Sequence, residues 1–202
     1  MEPNDPTLKV LYAYTRALSV ALGYRDQPTR LHSERVRDLS SAIATRHGLA
    51  GSELEALRIA ASFHDIGKIG IPDHILMKAG TFTPEEWETM KRHSDIGADI
   101  MAATGIEGAP LAAEVIRHHH EHFDGTGYPD GLSGERIPIC ARIISIADSY
   151  DAMAVTRSYH EAKPHAEVMA ILRAESGIKH DPELLEVFCE MVESEEFRAA
   201  RP

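Results

Sequence analysis

Residues 54–67 read LEALRIAASFHDIG, and the fold is decided by how this stretch is taken. Ser52 and Glu55 form a capping-box signature just ahead of it, which predicts a buried helix with His64 and Asp65 near its C-terminal end. A buried imidazole and carboxylate are costly unless something compensates them. The stretch therefore raises a structural question and a chemical one together.

Working outward, Thr29 to His47 carries Val36, Leu39 and Ile43 at helical intervals and stops at Gly48. Upstream, Leu8, Leu11, Tyr12, Leu18 and Leu22 predict an opening helix ended by Gly23. Downstream, Thr83 is placed to cap a helix, Pro84 suits its first turn and Glu86 can return a hydrogen bond. His93 falls near the end of that helix or at a bend. A further helix is expected from Pro110 to His120. The run HFDGTGYPDGLSGERIP, residues 122–138, holds four glycines and two prolines and predicts a structured loop.

Residues 139–153, ICARIISIADSYDAM, contain isoleucines that favour a strand, but length and period favour a helix. Pro164 and Pro182 then open two more helices. The last carries seven acidic residues and no lysine or arginine between Asp181 and Glu196, the pattern of a solvated face. Gly48, Gly67, Gly70, Gly97 and Gly105 are expected to serve turns and close helix packing. With no repeat or linker dividing it, the chain is expected to be one all-α domain over residues 1–202. Within it, residues 1–28 are expected to form an N-terminal helical extension and 181–202 an acidic C-terminal helix.

Composition narrows the function. The formal net charge of -11 argues against a basic surface that tracks duplex nucleic acid. No apolar run is long enough to span a membrane, and the N-terminus lacks a signal-peptide pattern, so a cytoplasmic protein is expected. Cys140 and Cys189 are far apart and have no C-x-x-C spacing, which supports neither a disulfide framework nor a thiolate metal knuckle. Histidine stands out, with 12 in the chain and several beside carboxylates.

His64 and Asp65 are adjacent, and Lys68 follows in HDIGK. An imidazole supplies one directional nitrogen, and a carboxylate has two oxygens that can join a pair of cations. His93, His118, His119 and His120 add imidazoles, while His32 and Asp148 offer ligands from other predicted helices. Taken singly, His32, His93 and Asp148 read as structural residues; one shared metal site explains them together. Nitrogen and carboxylate donors suit iron, manganese or zinc better than a thiolate-selected metal.

At this point the sequence resembles the HD-GYP family, the cyclic di-GMP phosphodiesterase branch of the HD metal-dependent phosphohydrolases. The resemblance is carried by HSERV at 32–36, HDIGKIGIPD at 64–73, HSDIG at 93–97, HHEHFDGTGYPDGLSGERIPICARIISIADSYDAM at 119–153 and TRSY at 156–159. It implies a compact HD-type helical bundle with a glycine-rich GYP loop. It also implies two divalent metals, iron or manganese favoured. His32, His64, Asp65 and Asp148 would bind one, and Asp65, His93, His119 and His120 the other, with Asp65 bridging. Members with a third metal carry a glutamate where this chain has Pro28, so two metals are expected.

The implied reaction is hydrolysis of cyclic di-GMP to pGpG by a metal-activated hydroxide, with onward cutting to GMP left open. Asp65 and Lys68 would be catalytic, and Lys68, Arg157 and Tyr128 would meet the substrate; His160 stands where some members have a lysine. Glu121, Asp124, Gly125, Gly127 and Pro129 would orient histidines or shape the loop. His118 and His122 fall outside the ligand pattern, and Arg142 is expected to serve a salt bridge or a cap. Two other readings stay open: a phosphohydrolase for another cyclic dinucleotide or nucleotide, and a low-activity metal-containing module for ligand binding and protein interaction. A regulatory protein partner, or self-association through the terminal helices, is compatible with the sequence.

Overall fold

A computed structural model describes residues 28–105, 108–155 and 162–193 of the chain. The opening helix expected before residue 28, and Arg157 and His160, lie outside these residues. Among the described residues nine α-helices form, and a single isolated bridge between Ser176 and His180 is the only β pairing. The all-α expectation holds.

α1 (Pro28–His47) ends as its glycine predicts. Gly48 sits at φ 100°, and Leu49 N–H reaches back to Ala44 O at 2.9 Å while Gly48 N–H bonds Thr45 O at 3.2 Å. This is the Schellman closure, which satisfies carbonyls that the helix end leaves open. α2 (Gly51–Phe63) differs from expectation at its start: its N-cap is Ala50, with no side-chain cap bond. The helix begins two residues early, which places Ser52 inside the first turn, and Glu55 instead accepts from Arg58 at 2.6 Å.

After α2, residues Ile66–Gly70 form a 3-10 turn, and a short α3 (Asp73–Leu76) follows that the sequence did not announce. α4 (Pro84–Lys91) opens on the expected capping box: Glu86 N–H donates to Thr83 Oγ1, and Thr83 N–H donates to the Glu86 carboxylate at 2.7 Å. The chain bends at Arg92, and His93 heads α5 (His93–Ala102). α6 (Ala109–His118) stops just short of His119. The loop of residues 122–138 follows with its Tyr128–Pro129 peptide cis, then α7 (Ile139–Ala154), α8 (His165–Ala174) and α9 (Pro182–Glu193). Pro164 is the N-cap of α8 rather than its first helical residue.

One apolar core joins α1, α2, α6, α7 and α9 through Ile43, Leu57, Ile116, Ile143, Ile144 and Phe188, all essentially free of solvent contact. α9 turns Leu184, Leu185, Phe188, Met191 and Val192 into this core and leaves Glu183, Glu186, Glu190 and Glu193 outside. Its acidic face is solvated as expected. The apolar face is consumed by the core, so among the described residues α9 offers no exposed large apolar side chain for self-association. Arg142 meets its expectation: its Nε donates to Ile137 O at 3.0 Å and its guanidinium pairs with Asp181, whose Oδ1 accepts from Glu183 N–H at 2.9 Å at the head of α9.

The 3-10 turn after α2 lies against α5 at backbone distance. A Cβ added at Gly67 would stand 1.9 Å from His93 O and 2.5 Å from Gly97 N. Neither atom can yield without moving the helix. Gly67→Ala is therefore expected to lower stability by about 3 kcal/mol or more, read from the urea midpoint; an unchanged midpoint would refute the close approach.

Candidate metal centre

The fold gathers side chains from five places in the chain. His32 comes from α1, His64 and Asp65 from the end of α2, His93 from the head of α5, His119 and His120 from the turn after α6, and Asp148 from α7. Two groups result. The ligand atoms of His32, His64 and Asp148 lie within 4.8 Å of one another, and so do those of His93, His119 and His120. Asp65 stands between the groups, with Oδ2 3.6 Å from His64 Nε2 and Oδ1 3.7 Å from His93 Nε2.

The way the rings are held decides which nitrogen faces the centre. His64 Nδ1–H donates to Ala61 O at 2.8 Å, His93 Nδ1–H to Met90 O at 2.8 Å, and His119 Nδ1–H to Ile116 O at 2.6 Å. Each acceptor is a carbonyl three residues back at a helix end, where carbonyls lack an intrahelical donor. A neutral ring that donates from Nδ1 keeps a bare lone pair on Nε2. Burial, together with neighbouring imidazoles, holds His119 down to about 3, so its ring is neutral at ordinary pH. Burial likewise lowers His93 and His120.

His64 Nε2 and His119 Nε2 are buried and have no hydrogen-bond partner within the protein. His93 Nε2 lies 3.2 Å from His120 Nε2. Orphaned, inward-facing lone pairs beside carboxylates are what a divalent cation satisfies, and the donor set is right for a hard or borderline metal. The residues fit the group.

Each carboxylate of the centre has a basic partner. Burial opposes ionisation of Asp65, but Lys68 Nζ at 2.7 Å and the surrounding rings keep it well below the usual carboxylate range. Burial likewise works against a charged His32, yet Asp148 at 3.0 Å and Asp151 at 2.7 Å outweigh it and raise the ring to about 9.

Asp151 was not singled out by the sequence. It is buried, accepts from His32 Nδ1, and is gripped by Arg35 through Nε at 2.6 Å and a terminal nitrogen at 3.0 Å. The readable signal was its spacing, one helical turn beyond Asp148, with Arg35 one turn beyond His32.

The loop is pinned from several sides. Buried Glu121 accepts from Asp130 N–H at 2.7 Å and from Leu132 N–H at 3.1 Å. Asp130 in turn receives His118 Nε2 at 2.9 Å and Arg117, which also pairs with Asp95. His118, Glu121 and Asp130 lie as close together as the ligand groups do, but these partners already occupy them. Asp124 accepts from Thr126 N–H at 2.9 Å, and His122 meets Thr126 Oγ1. Gly127 passes so close to the 121–122 backbone that a Cβ would lie 2.2 Å from His122 N, while Gly125 takes φ 86°. Pinned this way, the loop stacks the Tyr128 ring on His120, centroids 4.9 Å apart.

A family model described as the HD domain matches residues 16–184. The chain belongs to the HD domain family. It is 42% identical over 181 residues to a cyclic di-GMP phosphodiesterase of Thermotoga maritima, covering 90% of this chain and 49% of that protein. It is 40% identical to the Xanthomonas campestris cyclic di-GMP phosphodiesterase response regulator RpfG, covering 82% and 44%, and 36% identical to a Vibrio cholerae 3'3'-cGAMP-specific phosphodiesterase, covering 86% and 33%. The chain thus spans half or less of the length of these curated relatives. Among solved structures, the protein Bd1817 from Bdellovibrio bacteriovorus superposes with a TM-score of 0.66 at 22% identity, over 93% of this chain and 61% of that one. That likeness establishes a shared fold.

Two outcomes test how this HD domain holds its centre. Asp151→Ala removes the acceptor of His32 and strands Arg35; the affinity for divalent manganese, titrated into metal-free protein, is expected to fall about 10- to 100-fold. Glu121→Ala leaves two loop N–H groups without their acceptor, so the Asp130 and Leu132 amides are expected to lose hydrogen-exchange protection while α2 and α7 keep theirs.

Proposed function

We propose that this HD domain hydrolyses a phosphodiester of cyclic di-GMP to give pGpG, using two divalent cations, iron or manganese. The reading is carried by one observation: two histidine-rich ligand groups flank a single buried aspartate, with a lysine at its edge. His32, His64 and Asp148 would hold one cation and His93, His119 and His120 the other, with Asp65 shared. Bound there, such cations supply Lewis acidity toward a phosphodiester and acidify water near neutral pH.

The protein's own groups orient the substrate. Lys68 is partly exposed at the rim, and its ammonium is a compact positive charge suited to a nonbridging phosphate oxygen. Burial, then the charges of Asp65 and Asp148, push the Tyr128 phenol upward, so it stays a neutral hydroxyl able to donate to an anionic substrate. Arg157, assigned to a second phosphate contact, belongs to this proposal through the family resemblance. Pro28 begins α1 and offers no ligand chemistry, in keeping with two cations rather than three.

Several relatives are named for 3'3'-cGAMP rather than cyclic di-GMP. That supports a second reading in which the same centre cuts a mixed cyclic dinucleotide. Competition between the two substrates separates them.

Protein loaded anaerobically with Fe(II) or Mn(II) is expected to convert cyclic di-GMP to pGpG. Lys68→Ala is expected to lower kcat on the order of a hundredfold with metal content unchanged. Full occupancy of both cations without any product from cyclic di-GMP or 3'3'-cGAMP would overturn the reading.

A further inference from the structure

The metal ligands and Lys68 address phosphate and leave the bases of a dinucleotide unaccounted for. Beside them stands an aromatic row. Tyr128 stacks on His120 at 4.9 Å and 28°, Trp87 meets Tyr128 edge-on at 5.9 Å and 83°, and Phe82 stacks on Trp87 at 6.2 Å and 21°. The row leads outward from the centre, and Trp87 is 43% exposed. Among the described residues no other Phe, Tyr or Trp is exposed.

An exposed indole usually costs more than it gives, and this one is not loosely held. Phe82 supports one side and Tyr128 its edge. α4, which carries it, is fixed by the capping box of Thr83 and Glu86 and by an ion pair from Lys78 to Glu86. Ile71, Ile75 and Met90 pack beneath, with Phe82 against them. A single residue, Arg92, separates the end of α4 from His93. The indole therefore keeps a fixed position relative to that ligand. Lys91 on the same helix lies 5.7 Å from the Tyr128 ring centroid, which adds positive charge to the row. A rigid, electron-rich ring beside a phosphate-directed centre is the arrangement that stacks a nucleobase.

We propose that Trp87 is the base-stacking platform of this site and receives one purine of the cyclic dinucleotide whose phosphate lies at the histidine centre. The inference rests on the cyclic-dinucleotide reading above. Stacking tolerates either purine, so the platform supplies affinity for the class, and discrimination between guanine and adenine must come from groups at the base edges.

The chain has one tryptophan, so its emission reports this position alone. A phosphorothioate analogue of cyclic di-GMP that resists hydrolysis, titrated into manganese-loaded protein, is expected to change that emission saturably. By calorimetry, Trp87→Ala is expected to bind the analogue about 10- to 100-fold more weakly, and Trp87→Phe to recover most of the loss. KM for cyclic di-GMP is expected to rise with kcat within about twofold. Inorganic phosphate, which has no base, is expected to bind wild type and Trp87→Ala alike.

Unchanged analogue affinity in Trp87→Ala, or unmoved emission at saturation, overturns the platform and leaves the hydrolytic reading standing. Equal losses for analogue and phosphate also overturn it, since a platform does not touch a base-free anion. Wild type that neither binds nor cleaves cyclic dinucleotides removes the function itself, and the platform with it.

Discussion

Three imidazoles hold the centre of this protein by the same hydrogen bond, from Nδ1–H to a carbonyl three residues earlier. Each bond is made where a helix ends, in the last turn whose carbonyls lack the N–H four residues on. His64 follows α2, His93 follows α4 and His119 follows α6. Helix termination, ligand tautomer and ligand direction are therefore one event repeated three times. What stops each helix also aims an Nε2 lone pair at the cavity, with no side chain from elsewhere in the fold required to hold the ring.

His32 is held differently, and the contrast is informative. It lies within α1 rather than at its end, and its Nδ1 pairs with the carboxylate of Asp151. That carboxylate would itself be costly in the core, and Arg35 compensates it from the same helix as His32. His32 and Arg35 of α1 and Asp151 of α7 thus form one linked polar unit between the two helices. Ligands at helix ends depend on backbone, whereas this mid-helix ligand depends on a pair of side chains.

Much of this was legible in the sequence because the signals were local. The glycine at 48 and the threonine, proline and glutamate at 83, 84 and 86 fix helix ends by chemistry that acts within a few residues. The pair His64–Asp65 announced itself by being polar in apolar surroundings, and His119–His120 by lying in a run of histidines beside a carboxylate. Ser52 misled because a capping residue works only at the one position where the backbone turns, and Ala50 holds that position with Gly51 opening the helix. Asp151 and Arg35 were missed because each is an ordinary charged residue in a helix until α1 and α7 are brought together. Trp87 belongs to no motif in the sequence; only its ring contacts with Tyr128 and Phe82 give it a place beside the centre.

The contact at Gly67 has a consequence for how far this scaffold can be altered. The two ligand groups are spaced by main chain lying on main chain, from the turn that follows Asp65 to the first residue of α5. Side-chain packing elsewhere can be exchanged without passing through that spacing. A redesigned interior, filled with different aliphatic residues of similar bulk, would inherit the same separation between its ligand groups, because the ruler that sets it is made of peptide units.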